Sequence, residues 1–240
     1  MRSRYAVNPK LSDVVRFFLE KYPTYGVRKL AWIINREGQL DRRVNWKAIY
    51  RILKLKGWIQ NKKRRGSRPR VKVSRSVASR PNERWALDTT HFPTKKGWCH
   101  MTAVIDCCDR SILGWRISYS GKTKVAVAAL EDAFAARRPD LGLILRSDNG
   151  LVFSSKQFRL SALKNGCVQE FITPYTPEQN GMIERWFRTL KEECVWLRNF
   201  EDLTDATREI ADFIDHYNKE RPHWSLGFKT PEEVYNQLAA

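Results

Sequence analysis

Three carboxylates stand where the chain leaves or enters regular structure: Asp88 in ALDTTHF, Asp148 in LILRSDNG and Glu184 in NGMIERWFRTLK. Asp88 follows Trp85, Ala86 and Leu87 in a stretch of strand character, Asp148 closes the apolar run Leu143, Ile144, Leu145, and Glu184 opens a long helix. Taken singly, an acid at a strand end is most often a cap, a turn former or a surface charge. Three that converge in a mixed sheet repel one another and raise each other's pKa unless a cation neutralises them, so a converging trio implies a divalent metal. An all-oxygen ligand set favours magnesium or manganese over zinc. Asp106 and Asp109 are competing acids around a strand end beside Cys107 and Cys108. They are read as structural, and a trio with Asp106 in place of Asp88 is the rival arrangement.

The elements around these acids follow from periodicity. On the Glu184 helix, Arg188 and Lys191 lie at i+4 and i+7, on the carboxylate's face, and suit phosphate contact; Ile183, Phe187, Leu190 and Cys194 form the apolar stripe. Asn149 and Gly150 follow the second aspartate in a turn where glycine permits close approach of a phosphate backbone. Gln179, Asn180 and Gly181 belong to the loop before the helix. Strands are expected over Arg84–Asp88, Cys99–Asp106 and Ile112–Ser118, as an antiparallel meander. A helix with Val125, Ala129, Ala133 and Ala136 comes next, then a strand Leu141–Leu145, a helix Lys156–Lys164 and a strand Val168–Ile172. Strands first, then strand and helix in alternation, make a mixed sheet flanked by helices.

Ahead of this body the composition changes. The whole chain of 240 residues carries +18, yet residues 1–80 hold 23 Lys and Arg against four acids, and residues 81–240 are nearly neutral. A basic front end on a neutral globular body reads as a nucleic-acid-binding module before a catalytic or structural domain. Helical stripes occur at Leu11, Val14, Val15, Phe18, at Val27, Leu30, Ala31, Ile34, and at Trp46, Ile49, Tyr50, Leu53, which suggests a helix-turn-helix-like unit. Lys47, Arg51 and Lys54 face away from the third stripe, as on a helix that enters a DNA groove. Residues 61–80 contain nine Lys and Arg and no acid; this linker, with Lys62, Lys63, Arg64 and Arg65, is expected to track phosphates. The five cysteines show no CxxC spacing and read as free thiols in a reducing cytoplasm. No apolar stretch approaches 18 residues and no signal-peptide core is present, so a soluble, intracellular protein is expected.

Asp148 and Glu184 have 35 residues between them. With the words SDNG at 147–150, PYTPEQNGMIERWFRTLKEE at 174–193, YNKERPHWSLGFKTPEEVY at 217–235 and YGVRKLAWIIN at 25–35, the chain resembles the catalytic, second-reading-frame subunit of bacterial insertion-sequence transposases with a retroviral-integrase-like Asp-Asp-Glu core. The likeness covers essentially the whole chain. It implies an RNase H-like fold, a mixed five-stranded sheet flanked by helices, behind the small all-α domain. The expected organisation is a helix-turn-helix-like domain over 1–60, the linker over 61–80, the catalytic core over 81–200 and a C-terminal helical extension over 201–240.

The resemblance further implies metal-dependent DNA cleavage and strand transfer. Asp88, Asp148 and Glu184 would hold two magnesium ions, replaceable by manganese, about 4 Å apart for in-line displacement at phosphorus. Water attacks when a transposon end is nicked; the freed 3′-hydroxyl attacks when it is joined. Lys191, two turns after the glutamate, would grip the DNA end, and the loop holding Gln179 and Asn180 would lie beside DNA, its freedom limited by Pro174 and Pro177. Implied partners are double-stranded DNA of transposon ends and target, further copies of the chain on DNA, and an upstream-frame protein or frameshift fusion, in a nucleoid-associated bacterial setting. No histidine precedes His91 and no cysteine precedes Cys99, which excludes the zinc module that opens retroviral integrases. The rival functions are a catalytically idle regulator that occupies transposon ends and a nuclease that cuts without joining.

Overall fold

Side chains alternate across a strand and recur every three to four residues along a helix; in this chain those two periods produce two separately packed bodies. The computed structural model describes residues 8–59, 78–173 and 177–239. Contacts divide the chain into a unit of residues 1–69 with 222–228 and a unit of residues 70–221 with 229–240.

The first unit holds α1 (Pro9–Lys21), α2 (Val27–Glu37) and α3 (Trp46–Leu55). Asn8 caps α1 by accepting from the Leu11 N–H, Pro9 supplies the fixed φ of a first turn, and Gly38 closes α2 in the left-handed conformation. The Asn35 carboxamide donates to the Val44 carbonyl and accepts from the Val44 N–H, at 3.0 and 2.7 Å, which pins the connection into α3. Val15, Phe18, Leu30, Ile34, Ile49 and Leu53 fill the core. The buried face of α3 differs from the expected stripe: Ile49, Ile52 and Leu53 are inside, whereas Trp46 and Tyr50 are exposed. The Arg28 guanidinium lies over the rings of Trp46 and Trp224, and this cation–π arrangement supports aromatic surface outside the core.

The second unit is built on a five-stranded sheet of order β3-β2-β1-β4-β5, with β1 (Arg84–Thr94), β2 (Gly97–Asp106), β3 (Ile112–Ser118), β4 (Ile144–Ser147) and β5 (Val168–Phe171). The first three strands form the expected antiparallel meander, and β4 and β5 join parallel to β1. The β1–β2 hairpin runs farther than its sequence suggests, to Thr94 paired with Gly97. On one face, Trp85, Leu87, Val104 and Leu145 pack against α4 (Thr123–Arg137), α5 (Leu151–Ser154) and α6 (Lys156–Lys164). Gly114 of β3 is where α4 approaches closest: a Cβ there would stand 2.1 Å from the Ala129 carbonyl oxygen.

On the other face, Ala86, Phe92, Met101, Ala103 and Ile105 meet α7 (Gly181–Glu193) and α8 (Leu203–Lys219). Residues 201–240 therefore supply core as well as surface. Ala206, Ile210, Ile214 and Tyr217 of α8 are buried in that cluster, and Asn218 exchanges hydrogen bonds with both backbone groups of Ile112, closing the edge of β3. The last helix, α9 (Pro231–Leu238), begins with a capping box between Thr230 and Glu233 and carries Tyr235, against whose ring the Arg137 guanidinium stacks. No described helix is long and apolar enough to cross a membrane.

Candidate active site

Strand register brings the first two acids together. Residues 84, 85 and 86 of β1 pair with 144, 145 and 146 of β4, an offset of 60, and the same offset separates Asp88 from Asp148, which directly follows β4. Neighbours in register on adjacent strands project to one face. Period two puts Asp88 on the face of Ala86, beneath α7, and not on that of Trp85 and Leu87. Glu184 stands exposed in the first turn of α7, where the helix dipole favours negative charge.

The three acids act on one another. Burial, opposed by the Thr89 N–H that donates to Oδ1 at 2.7 Å, together with the charges of Asp148 and Glu184, pushes the Asp88 carboxyl up to about 7. Lys191 pulls in the other direction. Asp148 uses its Oδ1 to accept from the Gly150 N–H at 2.9 Å, and a Cβ on residue 150 would stand 2.9 Å from that same oxygen, so a larger residue there would turn the carboxylate aside. Among the described residues no three His, Cys, Asp or Glu side chains close round a single point. A groove of about 260 Å³ runs over the site, with Asp88 and Thr89 on one wall and Glu184, Arg188, Lys191 and Trp196 on the other.

Asp106, the rival for Asp88, is 0% exposed and fully engaged. It accepts from the N–H groups of Asn82, Cys108 and Asp109 and from the Trp85 indole, and Asp109 accepts from Ser111 and pairs with Arg137. Burial and the neighbouring Asp109 raise the Asp106 carboxyl to about 6, and its position behind Trp85 keeps it out of the groove.

The other residues singled out in the sequence separate into groups. Arg188 and Lys191 line the groove; Arg188 also pairs with Glu192 at 2.9 Å. Asn149 is exposed and donates to the Ile172 carbonyl at 2.8 Å, and Gln179 braces Thr173 through both ends of its carboxamide. Asn180, expected beside DNA, is 2% exposed and donates inward to the Leu87 carbonyl at 3.3 Å; a side chain so buried cannot reach a phosphate, so it positions the site instead. Lys47, Arg51 and Lys54 are all exposed along α3 in the helical unit. Lys62, Lys63, Arg64 and Arg65, like Pro174, lie outside the described residues.

Sequence reading missed Arg146. Buried on the site's face of the sheet, it binds Glu170 through Nε and Nη2 and donates from Nη1 to the Gln179 carbonyl at 2.9 Å, tying β4 to the turn before α7. Its signal was present: an arginine inside the apolar word LILRS cannot be buried without partners. Arg221 was passed over in the same way. Its guanidinium grips both Glu193 oxygens at 2.7 Å and anchors the far end of α7.

Two family models, both described as integrase core domain, match residues 78–177 and 165–231. The transposase InsD of insertion element IS2A/D/F/H/I/K from Escherichia coli is 27% identical, aligned over 99% of this chain and 82% of its own length. InsD of element IS2-9 from Escherichia coli K12 is also 27% identical, over 99% and 80%. Among solved structures, a chain of the cryo-EM simian T-cell lymphotropic virus intasome in complex with PP2A regulatory subunit B56 gamma superposes with a TM-score of 0.55 at 16% identity, covering 92% of this chain and 74% of that one. The sheet order and the two helical layers thus define an integrase-type catalytic core. The chain belongs to the insertion-element transposases built on that core, polynucleotidyl transferases that act in DNA transposition. The integrase core family depends on divalent metal.

Proposed function

We propose that the chain nicks the ends of an insertion sequence and joins the freed 3′-hydroxyl to target DNA, using Asp88, Asp148 and Glu184 as one divalent-metal site. The observation that carries this reading is the coupling of three acids drawn from β1, the end of β4 and α7: both Asp148 and Glu184 act on the Asp88 carboxyl. The donor set fits the group. All its atoms are carboxylate oxygens, each aspartate spends one oxygen on a local N–H, and a carboxyl held near 7 by burial and like charge gains most from a neighbouring cation. Two magnesium ions, or manganese, would there activate the attacking oxygen and stabilise the leaving one.

The protein's own groups do the remaining work. The Thr89 and Gly150 N–H groups fix the rotamers of the two aspartates. Lys191 and Arg188, on the Glu184 wall, hold the phosphates flanking the scissile bond, and Asn149 and Gln179 brace the turns at the rim. Residues 1–60 form a DNA-binding domain whose α3 presents Lys47, Arg51 and Lys54, residues 61–80 with Lys62, Lys63, Arg64 and Arg65 follow phosphates, and the core begins near residue 81. Further copies of the chain and an upstream-frame protein or fusion complete the assembly on DNA inside the bacterial cell.

The test is a cleavage and joining assay on DNA with the gene's own flanking sequences, in magnesium or manganese. Nicked and joined products that vanish in Glu184→Gln support the reading. Products of nicking alone would favour the nuclease, and binding without chemistry in any metal would favour the regulator.

A further inference from the structure

Resting on that reading, we infer that Trp196 is a stacking platform for an unpaired nucleobase at the catalytic groove, so that the DNA end is opened, not fully paired, when it is processed. Trp196 is 61% exposed and lines the same groove as Asp88, Glu184, Arg188 and Lys191. An indole is large, flat and rigid, so one exposed on the wall of a groove is shaped to take a planar partner.

The turn that carries it, Val195–Leu197, is held rigidly from both sides. Cys194 and Val195 are buried in the core beneath α7, Phe200 is buried on the far side, and Arg198 pairs with Glu209 at 2.6 Å. Such anchoring lets the ring be presented outward with little conformational freedom left to lose on binding.

The chemistry of the wall selects the occupant. Arg188 and Lys191 supply positive charge next to the ring, the combination of phosphate contact and π-face by which proteins hold single-stranded nucleic acid. Where an element terminus still continues into flanking DNA, both faces of each paired base are covered by its neighbours, so an indole can stack there only on a base freed from the helix. Trp196 acts on the position of the DNA, not on the reacting atoms, and is a positioning residue.

The experiment uses the full chain, calcium to permit binding without cleavage, and DNA in which the element's terminus continues into flanking sequence, with 2-aminopurine at the element's terminal nucleotide, either unpaired or fully paired. Wild type is expected to quench the unpaired probe strongly. Trp196→Phe should keep most of the quench, and Trp196→Ala should lose it and bind the open end about 10-fold more weakly, with paired DNA affected about twofold at most. Equal quenching and affinity in wild type and Trp196→Ala would overturn the inference while leaving the proposed function standing. A changed sedimentation coefficient with an unchanged quench would overturn it too, by assigning the ring to contact with another copy of the chain. Failure of wild type to bind any of the DNAs would instead remove the proposed function, and this inference with it.

Discussion

The Asn180 carboxamide donates to the Leu87 carbonyl at 3.3 Å, joining the residue that caps α7 to the one that precedes Asp88. This bond sets the distance between two of the three acids, because Glu184 lies one turn beyond Asn180 and Asp88 one residue beyond Leu87. The carboxamide's other end, Oδ1, is buried without a hydrogen-bond partner. Asn180→Asp would place a charge against a carbonyl oxygen in that setting. It should cost about 3 kcal/mol or more, read as a lower urea midpoint, whereas Asn180→Ala should cost only about 1 kcal/mol yet reduce cleavage by misplacing α7.

Arg146 supplies a second tie between the sheet and the same turn. Arg146→Lys cannot serve Glu170 and the Gln179 carbonyl together, since a single ammonium replaces a planar fork. Equilibrium denaturation should show a loss of about 2 kcal/mol, and Arg146→Ala should lose more by leaving a buried carbonyl unpaired.

These ties explain what could be read from the sequence and what could not. The second and third acids were visible through the words SDNG and GMIERWFRTLK, and Asp88 through an apolar strand whose period assigns its face. The helix at 156–164 was legible to the residue, because its stripe is local and Ser155 caps it. Asn180 was not, since its partner lies 93 residues away and nothing local distinguishes a buried amide from a DNA-facing one; for Arg146 the apolar word LILRS signals burial, but its partners, 24 and 33 residues away, are not legible. The stripe on α3 was misassigned for a related reason. Trp46 and Ile52 both fit a helical period, and only the packing of α1 and α2 decides which is covered. Strand β1 was cut short at Asp88 because His91 and Pro93 look like turn residues until the hairpin partner β2 is in place.

Asp88 makes stability depend on pH in the metal-free protein. Its folded carboxyl sits near 7, above the usual value of 3.8, so the fold favours the protonated form. That contribution is complete below the unfolded value, declines as pH rises, and is gone above about 7. Wild type should therefore lose stability relative to Asp88→Asn between about pH 4 and pH 7. Magnesium should raise the melting temperature more at pH 8 than at pH 5, where a proton competes for the same oxygens. A pH-independent difference between the two proteins would contradict this placement of Asp88.

Gly114 offers a test of the fold itself. Gly114→Ala drives a methyl into the Ala129 carbonyl and within 2.6 Å of the Ala133 N–H, both backbone atoms of α4 that cannot rotate away. A loss of about 3 kcal/mol or more is expected in thermal or urea denaturation. Unchanged stability would mean that α4 does not lie against β3.

The helical unit is tested by salt. Lys47, Arg51 and Lys54 are exposed along one helix, and each phosphate contact contributes about 0.9 to the slope of log affinity against log salt. Replacing all three with alanine should lower that slope by about 2 to 3 and weaken binding to every DNA sequence. A slope identical to wild type would assign α3 to packing alone.

The role of the three carboxylates is tested by a strand-cleavage and strand-transfer assay with wild type and Asp148→Asn side by side, each in magnesium, manganese and calcium. One neutral oxygen ligand in place of a carboxylate disables the metal site while leaving the register of β1 and β4 intact. Wild type is expected to give nicked and joined products in magnesium or manganese, Asp148→Asn none, and the two proteins to bind DNA equally in calcium. Full cleavage and joining by Asp148→Asn would contradict the assignment of the three carboxylates.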